Sequence, residues 1–217
     1  MKAEAYEAWY SSARGQWIAD TEFALLKSAL RPARGCSLLD IGCGTGQFTR
    51  RFAREINGPV VGVDPDREWL AYADTHRHGH ECYVVGKAEA LPFADRSFDC
   101  TISVATFCFL TDQVQALREL VRVTRRRFVL GLFNRNSILY LKKGRRGGRG
   151  GYKGAHWHTP AEVRQLFSQA GIRDAVMRTA IALPGGSGFA RAVERTWPRS
   201  ILAGSFLAVT GRLPGAR

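Results

Sequence analysis

Apolar and polar positions follow two rhythms along this chain. Short apolar runs, closed off by glycine or charged residues, occur at residues 37–41, 60–63, 81–85, 98–103 and 127–133 and read as buried strands. Between them, apolar residues recur three or four positions apart. Phe48, Phe52 and Ile56 mark one helix; Val114, Leu117 and Val121 mark another, with Thr111 as its cap. Thr159-Pro160-Ala161-Glu162 has the form of a capping box with proline at the first helical position, and Gly171 closes that helix. Residues 3–10 and 18–30 read as two further helices. Phe23, Leu26 and Leu30 form the apolar stripe of the second, and Pro32 stops it. Residues 177–182 and 206–211 supply two last strands, and 183–204 reads as a loop with room for one helical turn. Strands alternating with helices predict an α/β fold, a mostly parallel sheet with helices on both faces and ligand at the carboxyl ends of the strands.

The junction after the first strand carries the most information. Gly42-Cys43-Gly44-Thr45-Gly46 follows the run Ser37-Leu38-Leu39-Asp40-Ile41 and opens a helix. Glycine lacks Cβ and accepts positive φ, so this backbone can turn sharply and approach a ligand, while the helix start offers unpaired N–H groups. The second strand ends in Asp64, 24 residues after Asp40. An acidic residue at that distance is what a nucleoside-binding α/β fold uses to accept hydrogen bonds from ribose hydroxyls. The dinucleotide pattern G-x-G-x-x-G fails, because its third glycine position holds Gln47.

The stretch Leu38 to Gly46 instead resembles the first motif of class I S-adenosylmethionine (SAM) dependent methyltransferases. Gly62-Val63-Asp64-Pro65 resembles their ribose-binding motif. Lys87-Ala88-Glu89-Ala90-Leu91-Pro92-Phe93, followed by Ser97-Phe98-Asp99, and Glu119-Leu120-Val121-Arg122-Val123 resemble segments of the UbiE-like, methyltransferase type 11 group. The resemblance covers about residues 38–133. It implies a Rossmann-like sheet of seven strands with the last antiparallel, SAM as cofactor, and S-adenosylhomocysteine as product. It also implies that Gly42, Cys43 and Gly44 pass the methionine part, that Asp40 helps hold its ammonium, and that Asp64 and Pro65 meet the ribose. Ala88 and Glu89 would face the adenine and Ser103 the methionyl end. One departure is Thr124-Arg125-Arg126-Arg127 where the group usually has a Pro-Gly-Gly turn.

At 217 residues the chain suits one α/β domain, here a single methyltransferase domain over 1–217 with an N-terminal helical cap at 1–31 and a basic, glycine-rich loop at 134–158. No apolar run is long enough to span a bilayer, and the N-terminus has no signal core. Five cysteines without a C-x-x-C pair argue against a disulfide framework and a zinc site, so no metal is expected and the location expected is the cytoplasm. The net charge of +13 is local: eleven basic residues and no acidic one lie between Glu119 and Glu162.

The acceptor side is open to more than one reading. Tyr6, Trp9, Tyr10, Arg14 and Trp17 can close over an acceptor, or can fasten two helices to the core. Cys108 can line the pocket or be a buried, inert thiol. His156 and His158 can serve as the base that takes a proton from the acceptor, or be loop histidines beside a helix cap. The loop after Tyr140, with six basic residues among glycines, can be a lid over an anionic acceptor, an RGG-like contact to RNA, or a solvated loop. The expected function is methyl transfer to a small molecule, with an anionic one favoured by the loop. The alternatives are an RNA-modifying methyltransferase and a SAM-binding protein without catalysis. Neither the acceptor atom nor the oligomeric state is written in the residues.

Overall fold

The computed structural model describes residues 2–213. Seven strands form one sheet: β1 (Leu38–Ile41), β2 (Val60–Asp64), β3 (Glu81–Val85), β4 (Phe98–Val104), β5 (Thr124–Phe133), β6 (Arg173–Ala180) and β7 (Phe206–Arg212). Their order is β3-β2-β1-β4-β5-β7-β6. β1 to β5 run parallel, and β7 pairs antiparallel with both β5 and β6. The expected seven-stranded, mostly parallel sheet with an antiparallel last strand is therefore observed. The chain reverses its direction of travel across the sheet between β1 and β4, which opens a crevice beyond their carboxyl ends.

The helices are α1 (Ala3–Ser11), α2 (Ala13–Leu30), α3 (Gln47–Ile56), α4 (Arg67–Thr75), α5 (Gln113–Val123), α6 (Pro160–Gln169) and α7 (Gly188–Thr196). The pleat of the strands divides the core. Leu38, Val60, Ile102 and Val129 pack with Leu26, Leu30, Phe52 and Ile56 of α2 and α3. Leu39, Ile41 and Leu130 pack on the other face with Leu117, Leu120, Val163 and Phe167 of α5 and α6. Successive side chains of a strand point to opposite faces, so Asp40 shares the face of Leu38 and meets α3.

Several boundaries differ from expectation. α2 begins at Ala13, because Ser12 is extended and its side chain caps the helix by accepting from the Gly15 N–H. α4 was not foreseen; Asp66 starts it by accepting from the Glu68 and Trp69 N–H groups. The cap of α5 is Asp112 and not Thr111. β5 begins at Thr124, whose hydroxyl lies 2.7 Å from that of Thr101 on β4. Residues 188–196 form nine residues of helix where one turn was expected, capped by Ser187. The basic loop is also ordered: Tyr140–Gly144 is π-helical and Gly150–Tyr152 a 3-10 turn. Trp157 holds it, with Phe133, Tyr140 and Tyr152 rings 5.1–5.5 Å away.

Candidate active site

A cavity of about 870 Å³ opens at the carboxyl ends of β1, β2 and β4. Its floor is the glycine loop. Gly42 and Gly44 have φ of +71° and +55°, a region that side chains with a Cβ avoid. A Cβ on Gly44 would also approach Trp69 to 3.0 Å. The loop is tied from both sides. The N–H groups of Gly42 and Cys43 donate to the Val63 carbonyl at 2.7 and 3.1 Å, and the Thr106 hydroxyl donates to the Gly42 carbonyl at 3.1 Å.

Two carboxyls flank this floor. Asp40 is 2 % exposed and accepts from the Thr49 hydroxyl at 2.7 Å. Burial pushes its pKa up to about 7, against the pull of that hydrogen bond. Asp64 accepts from the Gly44 N–H and the Asp66 N–H, both at 2.9 Å. Burial raises its pKa, and the two N–H groups oppose the rise. A carboxylate offers about four lone-pair directions, so two stay available to a pair of vicinal hydroxyls.

Of the residues expected at the cofactor, Asp40, Gly42, Cys43, Gly44, Asp64 and Pro65 all line this cavity, as do Ala88 and Glu89. Ser103 does not. It is 1 % exposed and donates to the Ile41 carbonyl at 2.8 Å, stitching β4 to β1.

Tyr6, Trp9 and Tyr10 form part of the wall. The Tyr6 ring lies 5.0 Å from Trp69 and 5.1 Å from Tyr10. Arg14 and Trp17 lie off the wall: Arg14 donates to the Pro184 carbonyl at 2.8 Å, and Trp17 lies beneath the Arg191 guanidinium. Cys108 is 1 % exposed behind the wall, and burial pushes its thiol up to about 12. His158 is equally buried, with its ring nitrogens 3.0 Å from Gln113 Oε1 and 3.9 Å from Cys108 Sγ. Burial lowers its pKa to about 4, so it stays neutral. His156 lies on a second, shallower cleft with Glu162 and Gln165. Neither histidine reaches the main cavity, because the backbone of 156–158 runs as a rung beside Phe133 with the His158 N–H on the Phe133 carbonyl.

Among the described residues, none of the six basic side chains between Lys142 and Lys153 lines the cavity or makes an ion pair; all six are exposed. The loop contributes Leu139, Gly151 and Tyr152 to the wall. Sequence reasoning missed Glu22, Trp69 and Tyr152. Trp69 was within reach, since Asp66 is a standard N-cap. The stretch from Ala105 to Leu110 after β4, expected beside the acceptor, places Ala105 (φ of +62°), Thr106, Phe109 and Leu110 on the wall.

The cavity suits SAM in shape and charge. Asp40, Asp64 and Glu89 line it beside the glycine loop, with Lys87 as the one ammonium among the described lining residues. SAM carries a sulfonium and an ammonium, and its volume lies within the usual range for such pockets.

A methyltransferase-domain family matches residues 39–130. Together with the strand order and the glycine-loop cavity, this defines a class I methyltransferase fold whose cofactor is SAM. An uncharacterized protein of Mycobacterium tuberculosis is 34% identical over 191 residues, 85% of this chain and 63% of its own. The ubiquinone/menaquinone biosynthesis C-methyltransferase UbiE of Hahella chejuensis is 40% identical over 110 residues, 48% of this chain and 43% of that one. A solved structure from Thermotoga maritima, described as a SAM-dependent methyltransferase and possible histamine N-methyltransferase, superposes with a TM-score of 0.75 at 25% identity, covering 96% of this chain and 94% of that one. Over residues 39–130 the chain carries a methyltransferase domain, and its fold is that of the class I methyltransferases. It spans under two thirds of the length of these curated relatives. No helix among the described residues is long and apolar enough to cross a membrane.

Proposed function

We propose that this chain, as one domain, transfers a methyl group from SAM to a small molecule held in the same cavity. The observation that carries this reading is the continuity of that cavity, from the glycine loop and Asp64 to a wall of Tyr6, Trp9, Tyr10 and Tyr152. When bound, SAM supplies a methyl group already activated by its sulfonium. Asp64 takes the ribose hydroxyls, Asp40 and the backbone of Gly42 to Gly44 hold the methionyl part, and Ala88 and Glu89 border the adenine. Trp69, beside Gly44 and Tyr6, covers the ribose side. The aromatic wall positions the acceptor and excludes water, which is most of what this in-line displacement requires of a protein.

The loop cations support a second reading, in which RNA is the acceptor and the exposed residues Lys142 to Lys153 bind its backbone. Methyl-labelled SAM incubated with the protein and an extract of the source organism distinguishes the two. Label in the small-molecule fraction is expected; label in RNA overturns the first reading.

A further inference from the structure

Glu22 is the one carboxyl of the cavity wall that comes from α2. Asp40 and Asp64 are engaged by Thr49 and by the loop N–H groups, and Glu89 stands beside Lys87 on the segment after β3. Among the described residues Glu22 makes no hydrogen bond or ion pair. Tyr6 and Tyr10 of α1 and Tyr152 of the basic loop line the same cavity and feel the charge of Glu22, while the Arg51 guanidinium of α3 pulls the Glu22 carboxyl down. Arg51 is already paired with Asp20 at 2.6 Å and lies over the Phe23 ring. The three tyrosines keep their protons, because burial raises each of them and the charge of Glu22 raises them further. Glu22 thus shares the cavity wall with electron-rich rings, and among the described residues no cation pairs with it.

We propose that Glu22 anchors the methyl acceptor through a protonated amine, seated against the ring faces of Tyr6, Tyr10 and Tyr152. This rests on the methyltransferase reading of the cavity. A cation meets both a carboxyl and aromatic quadrupoles here, and each attraction strengthens out of water. A carboxylate or phosphate would meet Glu22 with no cation from the basic loop to offset it. The loop cations on which an anionic acceptor was expected lie outside this cavity. In the absence of a cation, burial holds the Glu22 carboxyl up to about 8. An ammonium group would draw it back into the charged form, so amine binding should tighten as pH rises, until the amine itself loses its proton.

The test uses three probes with one phenyl framework: 2-phenylethylamine, 2-phenylethanol and 3-phenylpropionate. Each is titrated by calorimetry into the protein saturated with S-adenosylhomocysteine. The amine is expected to bind about tenfold tighter than either other probe, and Glu22→Gln should erase that preference while leaving S-adenosylhomocysteine affinity within about twofold. Equal binding of the three probes, no binding of the amine, or a preference that survives Glu22→Gln overturns the proposal. Failure of S-adenosylhomocysteine to bind the unaltered protein would instead overturn the methyltransferase reading beneath it.

Discussion

The backbone N–H of Gly44 donates to Oδ2 of Asp64 at 2.9 Å. This bond joins the loop after β1 to the end of β2 and holds the carboxylate over the glycine floor. The same residue therefore shapes the loop and faces the ligand. Asp64→Ala is expected to weaken SAM binding by more than about tenfold, or about 1.4 kcal/mol. Calorimetry checks this, and unchanged affinity would remove the ribose assignment. Asp64→Asn, which keeps an acceptor for the Gly44 N–H, should lose less.

Gly44→Ala combines a φ of +55° with a Cβ at 3.0 Å from Trp69. The substitution should destabilise the fold by about 1–3 kcal/mol and should lower S-adenosylhomocysteine affinity by displacing Trp69. A chemical melt and a binding isotherm measure the two effects separately.

His158 is expected to act on stability and not on chemistry. Above pH 6.5 it is neutral in both folded and unfolded chains. As pH falls from 6.5 to about 4, the unfolded chain takes up a proton that the buried ring refuses, so stability is lost across that window. His158→Gln should cost about 1–3 kcal/mol at neutral pH through lost buried bonds, yet flatten the stability profile between pH 6.5 and 4. His156→Ala should leave turnover within about twofold. A large loss of turnover with either protein still folded would return the histidines to the chemistry.

Glu22 has the opposite sign. Below pH 4.5 its carboxyl is protonated in both states. From there to about 8 the unfolded chain releases a proton that the native cavity retains, so stability falls as pH rises, and the full penalty holds above 8. Glu22→Gln should match the unaltered protein at pH 4 and exceed it at pH 9, by on the order of 2 kcal/mol. Denaturant melts at the two pH values decide it.

Replacing Lys142, Lys143, Arg145 and Arg146 by alanine removes exposed charges that make no ion pair among the described residues. Stability should change by less than about 0.5 kcal/mol per residue, and small-acceptor turnover should persist. Loss of labelled RNA from the extract assay, with a shallower salt dependence, would be the signature of the alternative reading.

Much of the cofactor half was legible because it is local. The residues around Gly42 to Gly46 and Asp64 lie at strand ends, and a strand end followed by a glycine turn states its own geometry. Ser103 was legible only as a position in a motif; its hydroxyl was taken by the Ile41 carbonyl, a partner 62 residues away. The acceptor half was much less legible. Tyr6, Trp9 and Tyr10 were found by their aromatic character, but Arg14 and Trp17 are drawn off the wall by Pro184 and Arg191, which belong to a distant segment. Glu22 belongs to no motif and sits beside the apolar stripe of α2, so nothing local marks it.

The sequence by itself determined the strand–helix alternation, the glycine turn and the acidic end of β2, because each depends on residues adjacent along the chain. Tertiary structure alone decided which polar groups face the cavity and which are consumed behind it. That choice turns on packing between elements far apart in sequence. It took the folding of 140–157 around Trp157 to turn the loop's cations outward and Tyr152 inward, and the docking of α1 and α2 on the sheet to leave Glu22 on the cavity wall without an ion pair among the described residues.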